Sequence, residues 1–282
     1  MATRVQTTSG SHWMSWVDLK RIFRFDLLMA ALTALFFSLI ALVLLSLIGA
    51  ASWSEVIGHV TSAQGLSAIL LSLETSLTVV VLTLVIGFPV AYILALKSFK
   101  GKAILEALLD LPIIMPPLVT GLCLLLLLNP SNPFGQLLQQ WGIELLFTPY
   151  GIILAQFFVA SPFFIKTTRE TIASIPGNLL AASATLNASD FYTFRKVVLP
   201  LCRKGASAGL AMSWARALGE FGATAMVAGS IPGKTETMTI SIYMEAMGGG
   251  LNRSVSTALV LVIFSFALLF ILKIQAGRQY EY

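Results

Sequence analysis

Six long apolar runs, near residues 27–50, 68–96, 103–128, 149–168, 205–229 and 255–275, divide this 282-residue chain. The hydrocarbon layer of a bilayer is about 30 Å thick and takes roughly 20 residues of helix to cross. Inside it every backbone N–H and C=O must be bonded within the protein, so an open chain crosses as helix. The expectation is an all-α polytopic membrane protein with six transmembrane helices. Composition agrees: 57% of residues are hydrophobic and 11% charged, and the mean hydropathy is +0.86. A soluble domain carries about 25% charged residues. Spans occupying this much of the chain leave no room for a separate soluble catalytic domain.

Six helices put both ends on one side, and the basic residues choose the side. Arg4, Lys20, Arg21 and Arg24 precede the first run, and Lys97, Lys100 and Lys102 separate the second from the third. Lys166, Arg169, Arg195, Lys196, Arg203 and Lys204 surround the segment between the fourth and fifth, and Lys273 and Arg278 close the chain. The remaining loops hold only Lys234 and Arg253. Lys and Arg concentrate on the cytoplasmic side, so tails 1–26 and 276–282 and segment 170–204 are expected there. Trp53, Trp141 and Tyr150 then fall at outer boundaries, as interfacial aromatics do, and Glu74 reads as interfacial. Met14 is an alternative start to Met1. A signal peptide is the competing reading of residues 20–52, but its apolar core would be only about 7 to 15 residues long.

The net charge of +5 says little about partners, because position matters more than sum, and no nucleic-acid partner is expected. Cys123 and Cys202 would lie at different depths, which argues against a disulfide. His12 and His59 belong to no cluster with metal-ligand spacing, and no serine-nucleophile motif occurs. Gly229–Thr235 resembles the end of a phosphate-binding loop, but it is one residue short and follows a span rather than a buried strand. No cofactor is expected on this chain, so the energy for any transport comes from an ion gradient or from another polypeptide.

Segment 170–204 is too long for an idle connector, since helix connections in bundles run about two to eight residues. Pro176 suits a helix start, and Leu179, Ala182, Ser183 and Leu186 then share one small apolar face. Asn187 can adopt the left-handed conformation that ends such a helix, Ser189 can cap the next, and Pro200 is expected to stop that second helix before the fifth span. A short helix, a turn and a second helix exposing an apolar face make a docking element.

Proline and glycine interrupt the spans. Gly87–Phe88–Pro89 lies in the second, and Leu111–Pro112 and Met115–Pro116–Pro117 with Gly121 lie in the third. Such breaks free carbonyls that must be buried in protein or line a wet cavity; a packing kink and a pathway role are both open for them. The fifth span carries Gly205, Ala206, Ala208, Gly209, Gly219, Gly222 and Gly229, suited to close packing in this chain or against a second copy. Arg216 and Glu220 stand one turn apart there. They are read either as a pair that orients the helix or as a positive potential for an anion path, with Glu220 anchoring Arg216.

The spacing in segment 170–204 resembles the loop of membrane subunits of ATP-binding-cassette importers: Glu-Ala-Ala, three residues, Gly, nine residues, Ile, any residue, Leu-Pro. With Ala181 at the Glu position, Ala182, Asn187, Val197, Leu199 and Pro200 fall on their places without a gap. Ala181 replaces the acid, Ser183 the second alanine and Asn187 the glycine. Leu111–Pro117 with Gly121, Phe147–Thr148, Ala155–Phe157 and Ser161–Phe164 resemble the permeases for tetrahedral oxyanions. Arg216–Gly222, Ala228–Thr235 and Ile242–Tyr243 are similar to the molybdate and tungstate members, and sulfate permeases share the Gly-Glu-Phe-Gly core.

The resemblance implies a type I importer permease domain over residues 27–275 in a prokaryotic plasma (inner) membrane, surrounded by lipid. It implies a second copy of the chain, two cytoplasmic ATPase subunits that carry ATP and Mg, and an extracytoplasmic oxyanion-binding protein. The chain itself is then no enzyme. ATPase coupling falls to Pro176, Leu179, Leu180, Ala181, Ala182, Ser183, Leu186, Asn187, Val197, Leu199 and Pro200. The translocation path falls to Pro116, Pro117 and Thr120, facing Thr224 and Met226, with Arg216 and Glu220 beside them. A gradient-driven anion carrier and a membrane scaffold are the readings from other classes.

Overall fold

The computed structural model describes the backbone of residues 16–277 and the side chains of residues 25–270. Arg4, His12, Met14 and Arg278 lie outside the described residues, as do the side chains of Lys20, Arg21, Arg24 and Lys273. The chain forms two units, meeting in sequence at Ala50 and Ala51. The first holds α1 (Trp16–Gly49), whose apolar stretch Phe25–Gly49 exposes its side chains along its length.

The second unit holds all the other elements. The short helix α2 (Trp53–Val60) leads to α3 (Ala63–Leu82), capped by the Ser62 hydroxyl, which accepts from Gly65 N–H at 3.1 Å. A wide π turn at Thr83–Gly87 carries α3 into α4 (Phe88–Leu96), so that Ala63–Leu96 is continuous. Proline inside a helix lacks a donor and crowds the preceding turn. Here the widened turn ends two residues before Pro89 and takes up the misfit, so Pro89 does not end the helix.

The third apolar run folds differently from expectation. Instead of one helix over 103–128, α5 (Lys102–Ile114) and α6 (Pro117–Leu128) meet at a 114° bend. Met115 and Pro116 each precede a proline, and the proline ring excludes the residue before it from helical geometry. Both are accordingly extended, with ψ of 134° and 136°. A charge ladder fixes α5 in place: Lys102, Glu106 and Asp110 recur every fourth residue, with Asp110 2.9 Å from Lys166 and Glu106 3.5 Å from Arg169.

After α7 (Pro133–Gln140), capped by Asn132, comes α8 (Pro149–Ala173). This is the central element, and Ile152, Ala155, Val159, Ala160, Phe164 and Ile172 along it are fully or almost fully buried. Then follow α9 (Gly177–Thr185), α10 (Asp190–Thr193), a second π turn at Phe194–Val198 and α11 (Leu199–Leu218). The expected stop at Pro200 is absent. The π turn again ends two residues before the proline, and α11 starts with Pro200 at its second position, where a missing N–H is harmless. The fifth run is likewise not one helix over 205–229: α11 ends at Leu218, Gly219–Phe221 breaks it, and α12 (Gly222–Ala228) resumes. Last come α13 (Met238–Met247) and α14 (Leu251–Gly277).

Among the described residues there are helices and no strands. Four of the helical segments, Phe25–Gly49, Ala63–Leu96, Pro149–Ala173 and Leu251–Phe270, are long and apolar enough to cross a membrane, with a fifth if α5 and α6 form one bent span.

Small residues set the closest approaches. A Cβ on Gly209 of α11 would come within 3.0 Å of Thr167 in α8, and one on Gly205 would overlap the Thr171 side chain. A Cβ on Gly121 of α6 would sit 2.7 Å from Cβ of Met226 and 2.8 Å from Cα of Ala223. Around that contact Leu124, Leu128, Ala155, Val159, Ala223 and Val227 form one core of α6, α8 and α12. Gly121→Ala is therefore expected to push α6 from α12 and lower stability by about 1–3 kcal/mol. Gly58→Ala, whose new Cβ meets nothing within 4 Å in α2, is expected to be neutral or to stabilise by roughly 0.5–1 kcal/mol. Thermal unfolding of the two variants in detergent checks the contrast.

Candidate functional site

Two of the places that combine irregular backbone with polar or exposed groups carry the residues singled out in the sequence: the meeting of the two broken runs, and the α9–α10 segment. The first arises because the breaks touch. A Cβ on Gly222, the first residue of α12, would lie 3.0 Å from Pro117 Cβ and 3.1 Å from Leu118 N, at the start of α6.

Glu220 fills the break between α11 and α12. It is 1% exposed. Its Oε1 accepts from Ala223 N–H at 2.8 Å, which satisfies a donor in the first turn of α12. Its Oε2 lies 2.5 Å from Arg216 Nη1, and its own C=O accepts the Thr239 hydroxyl at 2.8 Å, bringing in α13. A carboxylate this deeply buried is tolerated only when paired and hydrogen-bonded, and both conditions hold. Arg216 lies in the last turn of α11, where a cation is favoured by the helix dipole, and its side chain is 28% exposed. The guanidinium pairs with Glu220 through Nη1, and the side chain as a whole keeps partial access to the surface.

Of the expected path residues, Pro116 and Pro117 are exposed at the α5–α6 bend, and Thr120 is fully buried with its hydroxyl unbonded among the described residues. Thr224 is buried and donates to Phe221 C=O at 2.8 Å, while Met226 packs on Gly121. Pro117 and Gly121 thus come together with Gly222, Ala223 and Met226, and Arg216 and Glu220 sit at the same break. Ser72 and Thr239 were not legible as partners: Ser72 Oγ accepts from Met238 N–H at 2.8 Å and so caps α13 from α3. The pairing of Glu106 and Asp110 with Arg169 and Lys166 was not anticipated from the sequence. The look-alike phosphate loop is a tight turn, with the Thr235 hydroxyl accepting from Ile231 N–H at 3.0 Å.

The α9–α10 segment follows its sequence closely. Pro176 stands immediately before α9. Asn187 has φ 54°, its N–H donates to Ala184 C=O at 3.0 Å, and Ala188 N–H reaches Ser183 C=O at 3.1 Å. This paired closure needs a left-handed residue, which is why asparagine stands in for glycine there. Ser189 caps α10 through Tyr192 N–H at 3.2 Å, and Ser183 shares a 2.5 Å hydrogen bond with the Thr193 hydroxyl, tying α9 to α10.

Leu179, Ala182, Ser183, Leu186, Ala188, Ser189, Tyr192 and Val197 line one open groove. Leu186 is 81% exposed, and Ala181, Phe191, Leu199 and Pro200 are exposed as well. Leu180 points the other way, into a cluster with Ile172, Ile175, Val198 and Cys202. Both cysteines are free thiols, Cys123 exposed on α6 and Cys202 buried in that cluster.

Residues 87–279 match the model of the binding-protein-dependent transport system inner membrane component. The "Probable transport system permease protein NifC" of Clostridium pasteurianum is 34% identical over 88% of this chain and 86% of its own length. The sulfate transport system permease protein CysT of Salmonella typhimurium is 34% identical over 78% of this chain and 79% of its own, and the molybdenum transport system permease protein ModB of Azotobacter vinelandii 36% over 75% and 94%. Among solved structures, a bacterial ABC transporter involved in the import of alginate superposes with a TM-score of 0.69, at 17% identity, over 92% of this chain and 98% of its own. The MetNI methionine ABC transporter gives 0.59 at 18% identity, over 75% and 94%. The fold is therefore that of type I ABC importer permeases, and the chain belongs to the family of binding-protein-dependent transport system inner membrane components, as a transporter subunit rather than an enzyme.

Proposed function

We propose that this chain translocates a tetrahedral oxyanion, molybdate or tungstate, as one of two copies in a lipid-embedded complex with two ATPase subunits and an external binding protein. ATP and Mg are held by the ATPases. Six spans with both ends cytoplasmic put the α9–α10 segment on the ATPase side, with α11, the break and α12 completing the fifth crossing. The observation that carries the reading is the α9 groove: an open, mainly apolar trough, on a helix ended by the left-handed Asn187 and tied to α10 through Ser183, suits a partner's surface. Leu179, Ala182, Leu186 and Val197 would meet the ATPase, while Leu180 passes the motion inward.

Closure of the ATPase pair then displaces α9 in each copy, and the helices rock about the junction where α6 meets α12. Pro116, Pro117 and Thr120 face Thr224 and Met226 along the path, and the exposed part of Arg216 supplies positive potential to the anion. Sulfate is the second reading, favoured by the 34% identity to the Salmonella sulfate permease over 78% of this chain.

Uptake of labelled molybdate, tungstate and sulfate into vesicles, with and without the ATPase and binding protein, tests the proposal. Uptake is expected to require ATP and both partners and to favour molybdate or tungstate; uptake driven by a gradient through this chain alone would overturn it. In the same vesicles Ala182→Arg, which puts a charge in the groove, is expected to lower uptake roughly tenfold or more by desolvating an unpaired cation. Normal uptake with that variant counts against the docking face. Glu220→Ala leaves Arg216 without its partner and the first turn of α12 uncapped, and is expected to lower stability by about 3–5 kcal/mol. Melting temperature and yield in detergent report it.

A further inference from the structure

Beneath the groove lies an arrangement of rings that docking itself does not use. Phe194 begins the π turn Phe194–Val198, and its ring meets Phe88 and Tyr92 of α4 edge to face, 5.6 Å from each at 86° and 85°. Phe88 in turn follows the other π turn directly and tilts against Phe164 of α8 at 6.4 Å. On its other side Phe194 adjoins Thr193, whose hydroxyl is bonded to Ser183 in α9. A continuous path of contacts thus runs from α9 through Thr193 and Phe194 to α4 and α8.

Plain core packing is the competing explanation, and the burial pattern weighs against it. The aliphatic side chains Ile172, Ile175 and Val198, with Cys202, already fill the buried centre of this cluster, whereas Phe88, Tyr92 and Phe194 stay half-buried at its margin. Edge-to-face contact is directional, so turning one ring turns or loses the other. Both helices joined by the clasp contain a wide turn two residues before a proline, and such turns give way more easily than regular helix. A directional contact between two compliant turns conveys rotation, which a greasy cluster does not.

We infer that Phe194, held between Phe88 and Tyr92, is the positioning residue through which displacement of the α9–α10 segment turns α4 and α8. The inference rests on the docking reading given above. In the reconstituted complex with ATPase and binding protein, Phe194→Leu keeps apolar bulk and removes the ring. ATP hydrolysis is expected to stay within about twofold of the parent, while uptake of labelled molybdate, or of sulfate where that is the ion carried, falls about fivefold per ATP hydrolysed. Phe194→Tyr is expected to restore the ratio, and Tyr92→Leu to lower it with no further loss when combined with Phe194→Leu. If Phe194→Leu is not recovered from the membrane, Tyr92→Leu on the far side of the clasp carries the test. An unchanged ratio in these leucine variants, or additive losses in the double variant, overturns the inference. Cross-linking from Ala182→Cys to the ATPase separates the two readings. A cross-link in parent and Phe194→Leu alike, with an unchanged ratio, removes the clasp and keeps the docking; no cross-link in the parent removes both.

Discussion

A helix broken inside hydrocarbon leaves N–H and C=O groups that no water can reach, and in this chain Glu220 sits where one such break is met, with threonine hydroxyls serving the freed carbonyls. Glu220 caps α12 through Ala223, neutralises Arg216 at the end of α11 and binds Thr239 of α13 through its carbonyl. The other break is met without a charged group. Pro116 and Pro117 have no N–H to leave unbonded, and the Pro116 carbonyl takes the N–H groups of Val119 and Thr120 at 2.9 and 3.1 Å. The chain therefore turns by 114° with the Met115 N–H bonded back to Leu111 C=O and the Val119 and Thr120 N–H groups bonded to Pro116 C=O. Because the breaks abut at Pro117 and Gly222, two irregular stretches of backbone share one small-residue contact. Discontinuous helices meeting in this way are a recurrent design of membrane transporters.

Much of the α9–α10 segment was legible because its signals are local. A left-handed Asn187, a capping Ser189 and a face of Leu179, Ala182, Ser183 and Leu186 each depend on neighbours within a few residues, and the structure has all of them. Four of the six apolar runs were legible for the same reason and form helices long enough to cross a membrane, whereas the third and fifth are broken. Pro200 was misread because the π turn ahead of it has no sequence mark: a proline that stops one helix and a proline accommodated by a widened turn look alike in one dimension. The double proline at 116–117 signalled a break, but not that two consecutive pre-proline residues would be extended and bend the run so sharply.

Apart from the expected meeting of the third and fifth runs, contacts across the fold were not legible. Ser72 caps α13 over a separation of 166 residues, and nothing near either residue announces it. The Arg216–Glu220 pair was visible as a helical spacing, yet its role depends on the helix ending between the two, which follows from Gly219 and the packing of α12 on α6 and α8. The α5 ladder to Lys166 and Arg169 shows the same limit: periodic charge indicates a face but not the helix it meets.

The α9 groove and the break junction are joined through α8, α11 and the cluster under α9, so a displacement at one end has a packed route to the other. Spin-label distances test that link most directly. Nitroxides would be placed at Leu186→Cys on the groove or at Val119→Cys beside the α5–α6 bend, with Cys123 replaced by serine and Cys202 protected by burial. Measured between the two copies of the proposed complex, both distances are expected to change on ATP binding and to return after hydrolysis. A groove distance that responds to nucleotide while the distance at Val119 stays fixed would contradict the account.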